Sequence, residues 1–537
     1  MTVVQSKSTK NSVGTPTLEY DSMSKVWARS RAILNGEAEA RAHDRILDNI
    51  NYSNLLVPFS PRMSPEQYRW YVAESELPGL TAQYAKVLTG GLLRKEPAME
   101  FGDAMPEEVE AWMKNKFTQD NQSMVSFLDS TIWEELSTSN GWISVDYPAI
   151  DNYNDLTPEE KDAVCPYPIL WTAEEVINVQ VGMAADNSRP VLTRIVFRYV
   201  GRDSESNEFH PDLVPTVAEH YLDDSGHYAV RYYQQKKIST LEVQSGKLSV
   251  TNLREGEYFS KETWDQIGEA TPMMHGERMK FIPVFPVNGE IEYKNPLLMP
   301  LIDREVALYN KTSRRNHLLY GAATYTPVVF SDMSDEDFKA IVGRGLGSWL
   351  KLAPEDKVDV LKTPTDALAD MDRAIAAGIE DMSKMGIRML SPEGNQSGIA
   401  LEIRNSSQTA QLGVLNTKIS QTMTEVIKLM ILWKYGKDID VEEVTFTLSA
   451  DFNPSPIGSE WLKLVTEWYE SRLIPRSLFV EIAKNHDLIP PDYNDQEGRE
   501  EIGQDTMIGA GTPMEIEEKE PEEENNVHSS DRRMRNT

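Results

Sequence analysis

Cysteine is almost absent from this chain. Cys165 is the only one among 537 residues, so an intramolecular disulfide is impossible and a reducing compartment is expected. No stretch approaches about 18 consecutive apolar residues, which predicts that no segment spans a membrane. Residues 1–16 also lack the apolar run of a signal peptide. We expect residues 1–20 to form a disordered N-terminal arm.

Motifs of nucleotide-binding and hydrolytic enzymes are missing as well. A P-loop requires G-x-x-x-x-G-K-[ST], and the segment Ser245-Gly246-Lys247-Leu248 lacks that spacing, which disfavours a P-loop motor. The alternating glycines of residues 343–347 lack the strand-to-helix context of a dinucleotide site and predict a turn. No G-x-S-x-G elbow occurs. The chain is therefore expected to hold no cofactor and not to be an enzyme.

One group of side chains has a spacing that could suggest a metal site. His220, Asp223, Asp224 and His227 surround the sequence Asp-Asp-Ser-Gly. That sequence is typical of a hairpin turn, which explains the carboxylates without a metal. We expect a turn here and no metal ion.

Positive charge is scarce. The sequence has 54 Lys and Arg against 85 Asp and Glu, a formal net charge of −31. This charge balance argues against a protein that binds nucleic acid electrostatically over its whole surface. The negative charge is compatible with a protein along which nucleic acid moves without binding tightly. A contribution to solubility is the alternative explanation of this charge. Residues 515–524 contain seven Glu and one Lys, so we expect residues 498–537 to be a solvated, disordered acidic tail.

The patterns that are present predict an α+β protein, and the length of the chain predicts two to four domains. Periodic apolar residues indicate helices at residues 20–51, 78–93 and 124–137, and a capping sequence at residues 64–68 indicates a further helix that begins at Pro65. Alternating segments joined by turn residues then predict an antiparallel meander between residues 142 and 233. Residues 281–286 form a further extended apolar run.

The stretch from residue 363 to residue 435 predicts a helix, a short loop and a long helix. The second helix carries apolar residues at spacings of three and four: Leu412, Leu415, Ile419, Met423, Val426, Met430 and Trp433. The loop contains the polar and flexible residues Ser391, Glu393, Gly394, Asn395, Gln396, Ser397 and Gly398. Such a loop suggests a segment presented to a ligand, and an αα-hairpin within a core is the alternative.

A further helix and a small insert precede that stretch. Residues 297–319 predict the helix, and residues 320–361 predict an α/β insert with strands at 326–330 and 348–352. Towards the C-terminus, residues 445–448 predict a strand, and residues 457–471 and 475–484 predict helices.

Basic side chains cluster on the two helices that flank the insert. The residues concerned are Lys311, Arg314, Arg315, Arg373, Lys384 and Arg388. Cations in the last turn of a helix complement its dipole, which is one explanation of these residues on both helices. A local contact with phosphate or with an acidic partner is the other.

Several segments, in their order, resemble tailed-bacteriophage portal proteins, and in particular a portal-like branch long filed as a phage domain of unknown function. The sequence Gly-Trp-Ile-Ser-Val-Asp-Tyr-Pro at residues 141–148 resembles the G-hydrophobic-x-V-D-Y-P strand of that branch. Residues 171–178 are similar to its Y/W-x-x-E-x-I-x-N segment. Residues 281–288 resemble the apolar strand before the first stem helix, and residues 295–313 resemble that helix. Residues 325–329 resemble the strand that enters the clip.

The resemblance implies a portal fold that assembles as a ring, typically of twelve subunits, around a DNA channel. The parts that it implies are a wing at residues 21–294, a first stem helix at 295–319, a clip at 320–361, a second stem helix at 362–390, a tunnel loop at 391–398, a long wing helix at 399–435 and a mostly helical crown at 436–497.

The function that the resemblance implies is that of a portal in the virion, at one vertex of the capsid, assembled in the host cytoplasm. Double-stranded DNA would pass through the ring during packaging and ejection. The implied partners are other copies of the chain, the large terminase subunit, the major capsid and scaffold proteins and a head–tail adaptor, with no membrane. Another tail or minor head protein of a virion is the alternative, and a hydrolase acting on nucleic acid or carbohydrate is a more distant one.

Overall fold

The computed structural model describes residues 12–44, 56–58, 63–102, 105–148, 157, 160, 164–183, 190–202, 213–238, 250–254, 257–323, 326–330, 334, 336, 357–361, 366–386, 398–436, 439–449, 466–469, 471, 473 and 475–485. The chain divides into two compact units, Met1–Phe452 and Asn453–Thr537. Helices and strands mix in the first unit, which confirms the predicted α+β character.

The described helices are α1 (Leu18–Leu34), α2 (Glu37–His43), α3 (Pro65–Ala73), α4 (Leu80–Leu92), α5 (Glu107–Asn115), α6 (Met124–Thr138), α7 (Met299–Ala323), α8 (Asp366–Gly386), α9 (Gly398–Tyr435) and α10 (Arg476–Asn485). The described strands are β1 (Ala98–Glu100), β2 (Trp142–Asp146), β3 (Tyr167–Trp171), β4 (Val176–Met183), β5 (Pro190–Arg202), β6 (Leu213–Leu222), β7 (Tyr228–Ile238), β8 (Val250–Arg254), β9 (Glu257–Ala270), β10 (Met273–Met274), β11 (Glu277–Arg278), β12 (Val284–Pro286), β13 (Thr326–Phe330), β14 (Lys357–Leu361) and β15 (Thr445–Thr447).

Local capping explains where several helices begin. The Ser64 hydroxyl accepts the backbone N–H of Gln67, and the Gln67 side chain accepts the N–H of Ser64 in return. Pro65 follows as the first helical residue, where its missing N–H costs nothing. Thr17 and Ser123 cap α1 and α6 in the same way, each through its side-chain oxygen.

The largest sheet has the strand order β4-β5-β6-β7-β9-β8, with every neighbouring pair antiparallel. The predicted meander is thus confirmed from β4 to β7. The long strand β9 then pairs with β7 and places β8 at the edge, an order that the sequence pattern did not predict. A smaller sheet pairs β12 with β2 and β2 with β3.

The turn between β6 and β7 contains the group that could have suggested a metal site. Asp223 accepts the backbone N–H groups of Ser225 and His227, both at 2.9 Å. Its other carboxylate oxygen lies 2.8 Å from Arg278. His220 instead contacts the hydroxyl of Tyr228, at 2.7 Å. The hairpin-turn prediction is confirmed, because Asp223 holds the turn and binds a cation of the protein itself.

Residues 12–20 are ordered, although the sequence predicted a disordered arm over residues 1–20. Residues 12–17 lie against the large sheet, where the Thr17 N–H donates to the carbonyl of Ile177 at 3.1 Å. Gly14 lies so close to Trp264 that a Cβ there would approach the indole ring to 2.2 Å. Helix α1 begins at Leu18, so the expected boundary at residue 20 is wrong for residues 12–20. Contacts with strands far away in the sequence hold residues 12–17 in place, and no local sequence pattern predicts such contacts.

Helix α7 is anchored to α4 through a buried carboxylate. Glu305 is 0% exposed and accepts the N–H groups of Leu80 and Thr81 at 2.9 and 2.8 Å. These are otherwise unpaired donors at the N-terminus of α4, where the helix dipole favours a negative charge. The contact fixes the orientation of α7 against the core.

Helix boundaries in the predicted stem and clip differ from the expectation by a few residues. Helix α7 spans Met299–Ala323 and has Pro300 as its second residue, a position that proline favours, whereas the prediction was 295–319. Residues 320–323 are thus helical and not part of the clip. Strand β13 is confirmed, and it pairs with β14, which the sequence did not predict. The predicted strand at 348–352 lies outside the described residues.

The C-terminal predictions have a mixed outcome. Strand β15 pairs with β1, near the start of the chain, and lies in the first compact unit. It therefore does not belong to a separate crown beginning at residue 436. In the second unit, the helix predicted at 475–484 corresponds to α10, and the Tyr469 ring stacks on Phe479 at 4.6 Å.

We predict that replacing Glu305 with alanine lowers the free energy of unfolding by about 3 kcal/mol, because two buried N–H groups lose a charged acceptor. Chemical denaturation followed by circular dichroism measures the change. Asp303→Ala is the matched control, since Asp303 forms only an exposed ion pair with Arg29 and should cost less than about 1 kcal/mol. Equal losses in the two variants would remove the anchoring role of Glu305.

Candidate functional site: the groove between two paired helices

Helices α7 and α8 pack side by side and run antiparallel. The Arg315 Nε donates to Asp372 at 2.8 Å, and the Lys311 Nζ donates to the carbonyl of Ala374 at 3.4 Å. Residue numbers fall along α7 in the direction in which they rise along α8. The two contacts therefore show which residues of α7 and α8 are level, that is, at the same position along the helix axes.

A glycine permits the close approach of the two helices. A Cβ at Gly378 would lie 3.0 Å from the Leu308 Cδ1, tighter than ordinary packing allows. This close approach at Gly378 is between two helices of the same chain.

One side of α7 is buried and the other is not. Its inner side packs on α3, where the Asn316 amide donates to the Glu74 carbonyl at 3.1 Å and the Thr312 hydroxyl donates to the Glu76 carbonyl at 2.8 Å. Ile302 and Tyr309 on the same side are 0% exposed. The core thus fixes α7 and leaves its other side to α8 and to solvent.

Helix α8 is largely exposed. Met382 is the only buried side chain among residues 367–385, whose side chains the structure describes. Ile379 is 38% exposed, and the alanines at positions 369, 374, 376 and 377 are exposed as well. A helix of 21 residues with apolar and small residues open to solvent indicates a surface that another molecule covers.

A groove of about 330 Å³ runs between the two helices. Its lining includes Arg304, Ala307 and Lys311 from α7, and Ala374, Ala377 and Asp381 from α8. The small side chains keep the floor open, and the charged side chains lie along it. The sequence predicted Lys311 as a contact residue and missed Arg304, although their spacing of seven residues places both on one side of a helix.

The two helices carry opposite formal charges. Helix α7 has four Arg and Lys against two Asp and Glu, a formal charge of +2. Helix α8 has two against five, a formal charge of −3. Attraction between them favours the observed pair within one chain, and it equally favours an α8 from another chain on the open side of α7.

The basic residues of α7 do not lie in its last turn. Helix α7 continues to Ala323 and has no basic residue in that turn, so the dipole explanation of Lys311, Arg314 and Arg315 is wrong. Arg315 pairs with Asp372, and the exposed Arg314 hydrogen-bonds to Tyr71. Lys311 and Arg315 thus join the two helices, and Arg314 joins α7 to α3.

The remaining basic candidates lie on α8 or outside the described residues. Arg373 pairs with Asp370 and Lys384 pairs with Glu380, each within one helical turn. Such exposed pairs contribute little stability. Arg388 lies outside the described residues.

The predicted tunnel loop lies almost wholly outside the described residues. This applies to Ser391, Glu393, Gly394, Asn395, Gln396 and Ser397. Gly398, the last residue assigned to the loop, is the first residue of α9. The long helix was predicted from residue 399, a difference of one position.

Helix α9 lies in the core and buries the face that its periodic apolar residues predict. The side chains at Leu415, Ile419, Met423, Val426, Met430 and Trp433 are all buried. Its Thr422 hydroxyl donates to the Pro286 carbonyl at 3.2 Å, and Lys418 pairs with Glu290. These contacts join α9 to the segment that leads into α7.

A buried carboxylate lies at this junction. Glu135, near the end of α6, is 3% exposed, and burial raises the pKa of its carboxyl to about 7. Hydrogen bonds from Asn288 and the Gly141 N–H, and the charge of Lys418, oppose that rise in pKa, while the charge of Glu134 adds to it. Asn288 also donates to the Ser139 carbonyl at 2.8 Å. The junction therefore contains a group that titrates near neutral pH.

Metal sites and membrane-spanning helices do not occur among the described residues. In the part of the chain that the structure describes, no cluster of three His, Cys, Asp or Glu side chains could hold a metal ion. Over the same residues, no helix is both long and apolar enough to cross a membrane.

A family model matches part of the chain. Residues 296–434 match the model described as "Domain of unknown function (DUF4055)". This span contains α7, the β13–β14 hairpin, α8 and nearly all of α9. The match therefore covers the paired helices and their groove as one unit. No curated protein matches the chain.

Solved structures with some likeness to the chain belong to virus-like particles. One is titled "Neck of empty GTA particle computed with C6 symmetry"; it is 8% identical, has a TM-score of 0.34, and covers 72% of this chain and 84% of its own. Another is titled "Virion of native gene transfer agent (GTA) particle"; it is 10% identical, has a TM-score of 0.33, and covers 82% and 94% respectively. Likeness at this level carries no argument about the fold or function of this chain.

We predict that stability falls as pH rises from about 4.5 to about 7, in part because of Glu135. The folded state holds the proton of this carboxyl more tightly than the unfolded state, so deprotonation costs up to about 3 kcal/mol above pH 7. Glu135→Gln should remove that share of the pH dependence and be the more stable protein at pH 8. Denaturation curves at several pH values measure it.

The control for this prediction is Glu110→Gln, because Glu110 is 56% exposed in a pair with Lys114. It should leave the pH dependence unchanged. An identical slope in Glu135→Gln and the unmodified protein would show that Glu135 is ionised throughout this range.

Proposed function

We propose that this chain is a subunit of an oligomeric ring in a phage-type virion, a portal protein through which double-stranded DNA is packaged and ejected. The observation that carries the proposal is the paired helix unit, α7 and α8, with an open groove and a largely exposed α8. A long helix of this composition is stable in water when other copies cover it.

The architecture of the matched segment supports the same proposal. Two antiparallel helices are joined at one end through the β13–β14 hairpin, and a long helix follows them into the core. This is the order that the portal resemblance implies for two stem helices, a clip and a wing helix. In this proposal the clip hairpin is the docking site for the large terminase subunit and later for a head–tail adaptor.

The charge of the chain suits a conduit. Each subunit carries a formal charge of −31, so a ring wall repels phosphates and lets the duplex slide. Tight phosphate contacts over a long wall would hold the DNA in place. The protein has no catalytic step in this proposal, and the energy for DNA movement comes from the docked terminase.

We expect electron micrographs of the purified protein to contain rings with a central channel wide enough for duplex DNA, since heterologous contacts of one kind close into rings. Class averages and the mass of the assembly give the subunit number. Rings without a through channel would favour another virion structural protein. A compact monomer at every concentration, including with scaffold and capsid protein present, would overturn the proposal.

We also expect the assembled protein to bind duplex DNA weakly. Gel-shift titrations at 50 and 200 mM salt should give dissociation constants weaker than the roughly 10⁻⁴–10⁻⁶ M of ordinary non-specific binders, because the wall is acidic. A basic DNA-binding protein of similar size is the control. Tight binding that falls steeply with salt would contradict a sliding conduit.

A further inference from the structure

Helix α8 has a second exposed side, away from the groove. We call it the outer strip, and it comprises Ala369, Asp372, Ala376, Ile379 and Glu380. At about 100° per residue, these positions share one side of the helix and lie roughly opposite Ala374 and Asp381, which line the groove. Asp372 also pairs with Arg315 of α7 in the same chain. One chain therefore has a groove on one side of the helix pair and a largely exposed strip on the other.

Shape and composition make the strip and the groove complementary. The strip has two alanines seven residues apart and an isoleucine between acidic side chains. The groove has alanines at its floor, and the cations Arg304 and Lys311 outnumber the one carboxylate, Asp381, along it. Within the described residues, Arg304 has no ion-pair partner. A helix with small side chains can therefore approach closely and bring carboxylates to both cations.

The positions of these residues along the helix axes agree with such a contact in a closed ring. Subunits in a ring are related by rotation alone, so residues that are level within one chain stay level between chains when the helices follow the axis. Lys311 is level with Ala374, which places Asp372 of a neighbour within one helical turn of it. Arg304 is likewise within one turn of a neighbour's Glu380.

The spacings on the two sides also match. Arg304 and Lys311 are seven residues apart, or about 10.5 Å along α7. Asp372 and Glu380 are eight residues apart, or about 12 Å along α8. Both carboxylates are exposed, 53% and 64% for their side chains, so each can accept a second cation beside its own partner.

We propose that the outer strip of one copy packs into the α7–α8 groove of the next copy, with ion pairs from Arg304 to Glu380 and from Lys311 to Asp372 across the contact. This inference rests on the proposed ring. It goes beyond it by naming the two surfaces, their register and the residues that pair between copies.

Exchanging the charges of one pair tests the contact. Arg304→Glu and Glu380→Arg should each lower the apparent association constant by about tenfold, because like charges then face each other. The double variant should restore assembly, which a merely destabilised fold would not do. Lys114→Glu, an exposed reversal of equal size on α5, should assemble normally. Analytical ultracentrifugation measures each protein. Failure of the double variant to recover contradicts the pairing.

A cross-link gives an independent readout of the same contact. With Cys165→Ser as background, Ala307→Cys in the groove and Ala376→Cys on the strip should form disulfides between copies under oxidation. Within one chain Ala307 lies on α7 in the groove and Ala376 lies on the side of α8 that faces away from the groove, so the two cysteines should not meet in the geometry that a disulfide requires. The expected result is a ladder of covalent multimers on a denaturing gel, and either cysteine alone should give none.

The outcomes separate this inference from the proposed function. Rings in micrographs together with no ladder and no charge rescue overturn the interface and leave the ring intact. Monomers together with no ladder overturn both. A gel that shows only dimers, without larger multimers, contradicts the repeating contact, since each copy in a singly linked dimer uses only its groove or only its strip.

Discussion

The buried carboxylate of Glu305 is the contact on which the arrangement of the helices depends. It caps the N-terminus of α4 from the middle of α7, and it is fully buried. Because a buried charge is tolerated only with its donors in place, α7 has one orientation against the core. That orientation directs the cationic side of α7 outward, and α8 covers only part of it.

The exposure of α8 follows from the same geometry. The core binds α7 on its inner side, so α8 contacts mainly α7 and, to a smaller extent, α4. Gly378 sets how closely α8 lies to α7. Its alanines and its acidic residues then remain available to another molecule. The attraction between the opposite charges of α7 and α8 explains their pairing within a chain. The same attraction explains the proposed pairing between chains.

The long helix α9 connects this unit to the rest of the fold. Its buried face is continuous from Leu415 to Trp433, and Lys418 and Thr422 bind the segment before α7. Glu135 lies buried at the same junction and titrates near neutral pH. A rigid core beneath the α7–α8 pair suits the proposed ring subunit, since it keeps the contact surfaces in a fixed geometry.

The sequence by itself determined the helices with strong periodicity, the β6–β7 turn and the strands from β4 to β7, because a 3.6-residue or 2-residue period and turn residues are local properties. It also indicated Lys311 as a contact residue. Only the tertiary structure decided that β15 pairs with β1, that residues 12–17 cover the large sheet, and that Arg304 lies in a groove. Each of these contacts joins residues that are far apart in the chain. Burial and packing of the whole core decide such contacts, and they produce no periodic pattern in the sequence.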